Sequence, residues 1–296
     1  MSSPPVVASR SLASLYPLLF VALWSTGFIG AKFGLPDAPP LAFLSWRYAI
    51  VLVLMGAVAW RTRAPWPRTA SAYWHIGVSG VLVHAVYLGG VFIAIGHGLP
   101  AGVTAIVVGL QPVLTALGAG LLLGERVRPA QWVGLGLGFV GVALVVAHKV
   151  VGTVGNPALL AMLLPAVIAL LAITAGTLYQ KRYCPSFDLR TGAVIQFLPS
   201  LVLTALVAAA TETGQVHWTP SFVFAMAWLV LVLSVGAVSL LNMLIRSGTA
   251  VNVASLFYLV PPATAVVAWA LFGETMTGLA LVGMGLTVFG VWLARK

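Results

Sequence analysis

Carboxylates are almost missing from this chain. Five Asp and Glu stand in 296 residues, and charged residues of both signs make up only 7%. A soluble domain carries about 25% charge to cover its surface. With 61% hydrophobic residues and a mean hydropathy of +1.08, a water-soluble globule is excluded and an integral membrane protein is expected. The single cysteine, Cys184, excludes an intramolecular disulfide, so packing must hold the fold. No P-loop GxxxxGK[ST] occurs, which excludes ATP-driven pumping by this chain alone. The acids are neither clustered for a metal nor paired for acid–base chemistry, so no catalytic residue, metal or cofactor is assigned. The net charge of +10 is read as basic loops on one side of a bilayer rather than as a nucleic-acid surface.

What the chain has in abundance is long apolar runs. A helix needs roughly 20 apolar residues to cross about 30 Å of hydrocarbon. Ten such runs are read at 13–34, 41–60, 72–96, 101–123, 129–147, 157–180, 190–210, 221–245, 249–272 and 277–294, separated by Pro, Gly and Ser breakers. Backbone groups in lipid must be satisfied internally, so these are helices; the short alternating strands of a barrel are lacking. The first run is too long for a signal-peptide h-region. The fold class expected is all-α, with ten transmembrane helices.

The chain also repeats itself. LQPVLTALGAGLLLGE at Leu110–Glu125 returns as LVPPATAVVAWALFGE at Leu259–Glu274, with eight identities at a constant offset of 149. The offset continues through Val133, Gly134, Gly136, Leu137, Gly141 and Leu144, and pairs Lys32 with Lys181 and Arg47 with Gln196. The chain is therefore divided into repeats 1–149 and 150–296, five spans each.

With both termini in the cytoplasm, Arg10, Arg61, Arg63, Arg68, Arg126, Arg128, Lys181, Arg182, Arg190, Arg246, Arg295 and Lys296 face inward, and Lys32 and Lys149 face out. That bias sets both termini inside, in a cell (inner) membrane. Five is odd, so the second repeat is upside down relative to the first. Inverted repeats are the signature of a secondary transporter working by alternating access, with its site near the midplane between the repeats.

The WSTGFIGAK run from Trp24 to Lys32, FLSWRYA around Arg47 and the two Pro…Gly-Glu stretches, each followed by a Gly-rich span, resemble the EamA type of the drug/metabolite transporter superfamily. The resemblance covers nearly the whole chain. It implies a ten-helix exporter of small metabolites with a central cavity formed mainly by spans 1, 3, 4, 6, 8 and 9. The family includes amino acid exporters, among them aromatic amino acid exporters of the YddG type.

The candidate substrate-binding residues are His84, Tyr87, Trp24, Gln111, Tyr258, Ser255 and Asn242. His84 and Tyr87 share a stripe at the middle of span 3, where a polar group usually faces a cavity, and His titrates near neutral pH. Helix–helix hydrogen bonding explains His84 and Asn242 as well. Trp24 is at mid-span, facing either the cavity or lipid. Gln111, Ser255 and Tyr258, with Asn252, flank Pro112 and Pro261, which are read as helix kinks. Arg47, Glu125 and Glu274 are assigned structural roles: for Arg47 a snorkel to the interface or a pair with Glu274 or Asp37, with attraction of a substrate carboxylate as the alternative. Lys32 and Lys181 suit helix C-termini. Gly134 with Gly138, and Gly283 with Thr287, have small-xxx-small spacing, which suits close helix packing or the seam of a homodimer.

All five acids map to loops or span ends. A lipophilic-cation antiporter needs a buried carboxylate, so a neutral or zwitterionic substrate is expected, most plausibly an amino acid, with aromatic ones favoured by Trp24, Tyr87 and Tyr258. Other neutral metabolites or drugs, and a channel-like facilitator, are the alternatives.

Overall fold

A computed structural model describes residues 15–150, 159–273 and 276–296. Ten helical spans run through it, all ten within a few residues of the apolar runs. They are α1 (16–34), α2 (Pro40–Arg61), α3 (Ala70–Gly96), α4 (101–123), α5 (Pro129–Val150), α6 (Leu159–Tyr183), α7 (Leu189–Thr211), α8 (Pro220–Ser247), α9 (250–272) and α10 (Gly278–Ala294). No strand occurs among the described residues.

Capping sets several of the boundaries. Thr69, Thr219, Thr249 and Thr277 each accept a backbone N–H two or three residues into the following helix, and Asp188 does the same for α7. At the other ends, Gly124 and Gly273 close α4 and α9 with left-handed backbone, at φ 67° and 65°. These two glycines occupy the same position of the two repeats.

The inversion of the repeats can be read from two helix pairs. The α5–α10 seam is made of glycine: a methyl group on Gly134 would lie 2.6 Å from the carbonyl oxygen of Gly290, and one on Gly283 would lie 2.7 Å from that of Gly141. Adding 149 to Gly134 gives Gly283, and subtracting it from Gly290 gives Gly141, so the first contact is the second one turned over. The contacts run antiparallel along the two helices. A two-fold axis that exchanges antiparallel helices lies perpendicular to them, in the membrane plane. The small-xxx-small spacing is thus used within the chain, for close packing of α5 on α10. The α2–α7 pair obeys the same rule: Tyr48 lies against Phe197, its own counterpart, with ring centroids 5.5 Å apart.

The interior is apolar, centred on Phe20, Phe43, Tyr48, Phe197, Phe222 and Leu229. The outside is apolar too. Val53, Leu121, Leu206 and Leu271 are well exposed, as a lipid-facing surface requires. Of the ten tryptophans in the chain, nine are exposed. Several of these sit near helix ends, as an interfacial belt does. Trp24 is the one that is buried.

Four irregular stretches were not legible in the sequence or only partly so. Residues Val81–Leu88 of α3 and Leu229–Ala237 of α8 are wound as π-helix. The two segments coincide under the repeat offset, and π-segments concentrate at functional sites. Apolar periodicity carries no signal for them. The spans with the repeated prolines are interrupted, α4 at Gly109–Leu110 and α9 by a 3₁₀ turn over Leu256–Leu259. Pro112 and Pro261 each stand in the first turn of the helix that resumes, where a missing N–H costs nothing.

Candidate functional site

Two small cavities meet at Trp24 and Tyr87. One is bounded by Trp24, Tyr87, Thr104, Val108, Phe257 and Pro261, from α1, α3, α4 and α9. The other is bounded by Trp24, Gly27, Arg47, Tyr87, Phe92 and Leu233, from α1, α2, α3 and α8. Trp24, Tyr87 and Val91 belong to both walls and so stand between them. The cavities measure about 30 and 40 Å³, room for a few waters each. Ligand pockets run to about 300–1,000 Å³, so a substrate-sized site here requires the two not only to merge but to widen several-fold.

Local packing fixes this partition. The α1 helix breaks at Thr26, whose hydroxyl donates to the Leu23 carbonyl at 2.7 Å and accepts the Trp228 indole N–H at 2.9 Å. Two residues before the break, Trp24 sits in an aromatic triad with Phe20 and Phe257, centroids 5.2 to 5.4 Å apart. Tyr87 is carried by the π-segment of α3.

The remaining candidates are not in either of these two walls. His84 stacks on Phe197 at 4.2 Å and 16°, and its carbonyl accepts the Tyr48 hydroxyl at 2.8 Å. It therefore packs near the two-fold axis; its Nδ1 is buried without a hydrogen-bond partner. Asn242 belongs to a neutral polar cluster: it accepts the Gln180 amide at 2.8 Å and donates to Gln196 at 3.4 Å, while Gln196 donates to Ser79 at 3.1 Å. These four residues stand in the halves of α3, α6, α7 and α8 nearest the chain termini. Ser255 bonds back to the Asn252 carbonyl. Gln111 and Tyr258 are fully buried with unpartnered side-chain polar atoms; the Tyr258 ring fills the notch left by Gly138.

The charged candidates separate sharply. Glu125 accepts the backbone N–H of Ala250 at 3.1 to 3.2 Å, tying the α4–α5 loop to the start of α9. Glu274 and the Lys32 side chain lie outside the described residues. Lys181 donates to the carbonyls of Ile245 and Gly248 at the end of α8, a cation at a neighbouring helix's C-terminus. Arg47 does not snorkel: it is 2% exposed. Nor does it reach Asp37, whose carboxylate accepts the Thr219 hydroxyl instead. Its Nε donates to Ser234 Oγ at 2.9 Å, and its side chain forms part of a cavity wall. The stem of an Arg placed about 10 Å into α2 can go either way from sequence, because its direction depends on what α8 presents to it.

Gln180, Gln196 and Ser79 were missed as a cluster. The one available signal was that Gln196 is the polar counterpart of Arg47.

An all-helical bundle of two inverted repeats, with a small aromatic-walled site between them and lipid-exposed flanks, defines a multi-pass membrane transporter. The chain belongs to the EamA-like transporter family, whose model matches residues 11–147 and 159–295. It is 28% identical over 294 residues to the uncharacterized transporter YvbV of Bacillus subtilis, covering 97% of this chain and 92% of that one. It is 27% identical to a probable amino-acid metabolite efflux pump of Salmonella typhimurium, over 93% and 92% of the two chains. To a probable terminal-alkyne amino-acid exporter of Streptantibioticus cattleyicolor it is 29% identical, over 94% and 92%. A solved crystal structure superposes with a TM-score of 0.80 over 97% of both chains at 22% identity, which shows the fold.

Proposed function

We propose that this transporter exports small metabolites, amino acids first among them and aromatic ones favoured, by alternating access between its two repeats, with both termini in the cytoplasm. The observation that carries the reading is Trp24: the one buried tryptophan stands with Tyr87 between two cavities at the repeat interface. An aromatic pair there offers flat apolar faces to a side chain and polar edges to a zwitterion. The names of the efflux pump and exporter relatives support the substrate class. So does the use of the acids. Each of the four described carboxylates is engaged at a helix or loop end, Asp37 with Thr219, Glu125 with Ala250, Asp188 with Arg190 and Glu212 with Leu41 and Ala42, so none is placed to hold a lipophilic cation at mid-membrane.

In this reading substrate enters when the repeats rock apart and the two cavities merge around Trp24 and Tyr87. The Gln180–Gln196–Asn242–Ser79 cluster closes the side nearest the termini. His84 supports the axis and exposes its free Nδ1 when the halves part. Counterflow in liposomes tests the proposal. Saturable exchange of labelled phenylalanine, reduced at least tenfold by Tyr87→Ala or Trp24→Ala, is expected. Exchange of other neutral metabolites with none of any amino acid would refute the substrate class, and non-saturable flux would favour a channel-like facilitator.

A further inference from the structure

Among the described residues Arg47 is a cation without an anion. It is 2% exposed, its recorded side-chain hydrogen bond goes to a neutral hydroxyl, Ser234 Oγ, and among the described residues no carboxylate lies within ion-pair distance of it; the one ion pair there is Arg190–Asp188. Removing an ionised group from water is costly, and a buried ion is normally compensated by a partner. A hydroxyl returns little of that cost. Arg47 also uses only Nε on Ser234, which leaves the terminal amino groups of the guanidinium, the edge that takes a carboxylate in bidentate fashion. The residue at the equivalent position of the other repeat is the neutral Gln196, and its amide is consumed by Ser79, Gln180 and Asn242. The cation is thus specific to one half of the bundle.

Its place decides what the missing anion is. Arg47 borders the cavity that Trp24, Tyr87 and Phe92 also border, and Ser234 lies on the π-segment of α8, the counterpart of the segment that carries Tyr87. We infer that Arg47 and Ser234 form the anchor for the carboxylate of the transported molecule, with the aromatic pair taking the rest of it. This deepens the reading above and rests on it for the location of the site. It adds that the substrate must carry a carboxylate, that decarboxylated amines are rejected, and that Arg47 is kept for binding at a cost in stability.

The test separates the anchor from the amino acid reading by using a probe that is not an amino acid. The thermal midpoint of the purified full-length protein is measured with benzoate and with benzylammonium at equal ionic strength, for the wild type, Arg47→Gln, Arg47→Lys and Ser234→Ala. Benzoate is expected to raise the wild-type midpoint by several degrees and benzylammonium to leave it unchanged. The benzoate shift should vanish in Arg47→Gln and shrink in Arg47→Lys and Ser234→Ala. Without ligand, Arg47→Gln should be at least as stable as the wild type. A benzoate shift that is missing from the wild type, equal in Arg47→Gln or matched by benzylammonium overturns the anchor, as does unligated Arg47→Gln or Arg47→Lys failing to fold. A benzoate shift in a protein that exchanges no amino acid leaves the anchor standing and removes the amino acid reading alone.

Discussion

Tyr48 and Phe197 hold the same position in the two repeats and lie against each other, ring centroids 5.5 Å apart. A residue touches its own counterpart only next to the symmetry axis. The axis therefore passes between α2 and α7 at this pair and between α5 and α10 at the glycine seam, and these are the contacts about which the proposed rocking of the repeats would turn. Four expectations follow from this frame and from the ties around it.

The glycine seam tolerates no side chain on one face and any small one on the other. A methyl group on Gly290 would lie 2.7 Å from the Gly134 carbonyl and 2.9 Å from the Gly138 Cα, all backbone that cannot yield. Nothing lies within 4 Å of one on Gly285. Gly290→Val should destabilise by about 1–3 kcal/mol or more and lose the monodisperse peak in detergent chromatography. Gly285→Ala should behave as wild type.

Glu212 accepts the backbone N–H groups of both Leu41 and Ala42 at 2.8 Å. A carboxylate at a helix N-terminus satisfies orphan donors and meets the positive end of the dipole. Glu212→Gln should lower stability by about 1–3 kcal/mol, seen as a fall in the thermal midpoint, and should leave the position of Tyr87 and Trp24 untouched. An unchanged midpoint would show that α2 begins without this clamp.

Asp188 caps α7 through the Arg190 backbone N–H at 2.9 Å and pairs with the Arg190 guanidinium at 2.7 and 3.0 Å. The Arg190 side chain holds its carboxyl below the usual 3.8. A group whose pKa is lower folded than unfolded contributes stability above its unfolded value and loses it as the pH falls through the folded one. Asp188→Asn keeps a capping oxygen and loses only the solvent-screened pair with Arg190, so it should lower the thermal midpoint slightly at neutral pH. The gap between the two proteins should close only below pH 3.8, in acid titrations of the thermal midpoint.

The Gln180–Gln196–Asn242–Ser79 cluster joins one helix of the first repeat to three of the second. Its bonds are neutral, worth about 1 kcal/mol each, weak enough to break if the repeats part as proposed. Gln196→Ala should increase labelling by a membrane-impermeant thiol reagent at a cysteine placed at position 79, in a background with Cys184 replaced, from the side bearing the termini. Equal labelling with and without Gln196 would mean the cluster is static.

The sequence alone determined the architecture. Ten apolar runs, an offset of 149 and an odd number of spans per repeat leave little choice, because lipid forces helices and parity forces inversion. It also offered Trp24 and Tyr87 among its candidates, and the structure sets both on the walls of the two cavities. Tertiary structure decided everything that depends on which way a side chain turns. Glycine spacing is the same for a seam within one chain and for a dimer, and only the α5–α10 contact chose. The mid-span polarity of His84 is the same for a cavity wall and for packing, and stacking on Phe197 chose. The depth of Arg47 is the same for a snorkel and for a buried cation, and Ser234 of α8, 187 residues away in the chain, chose. Periodicity records which face of a helix avoids water. In a membrane protein both lipid and core satisfy that demand, so the record stops short of the site.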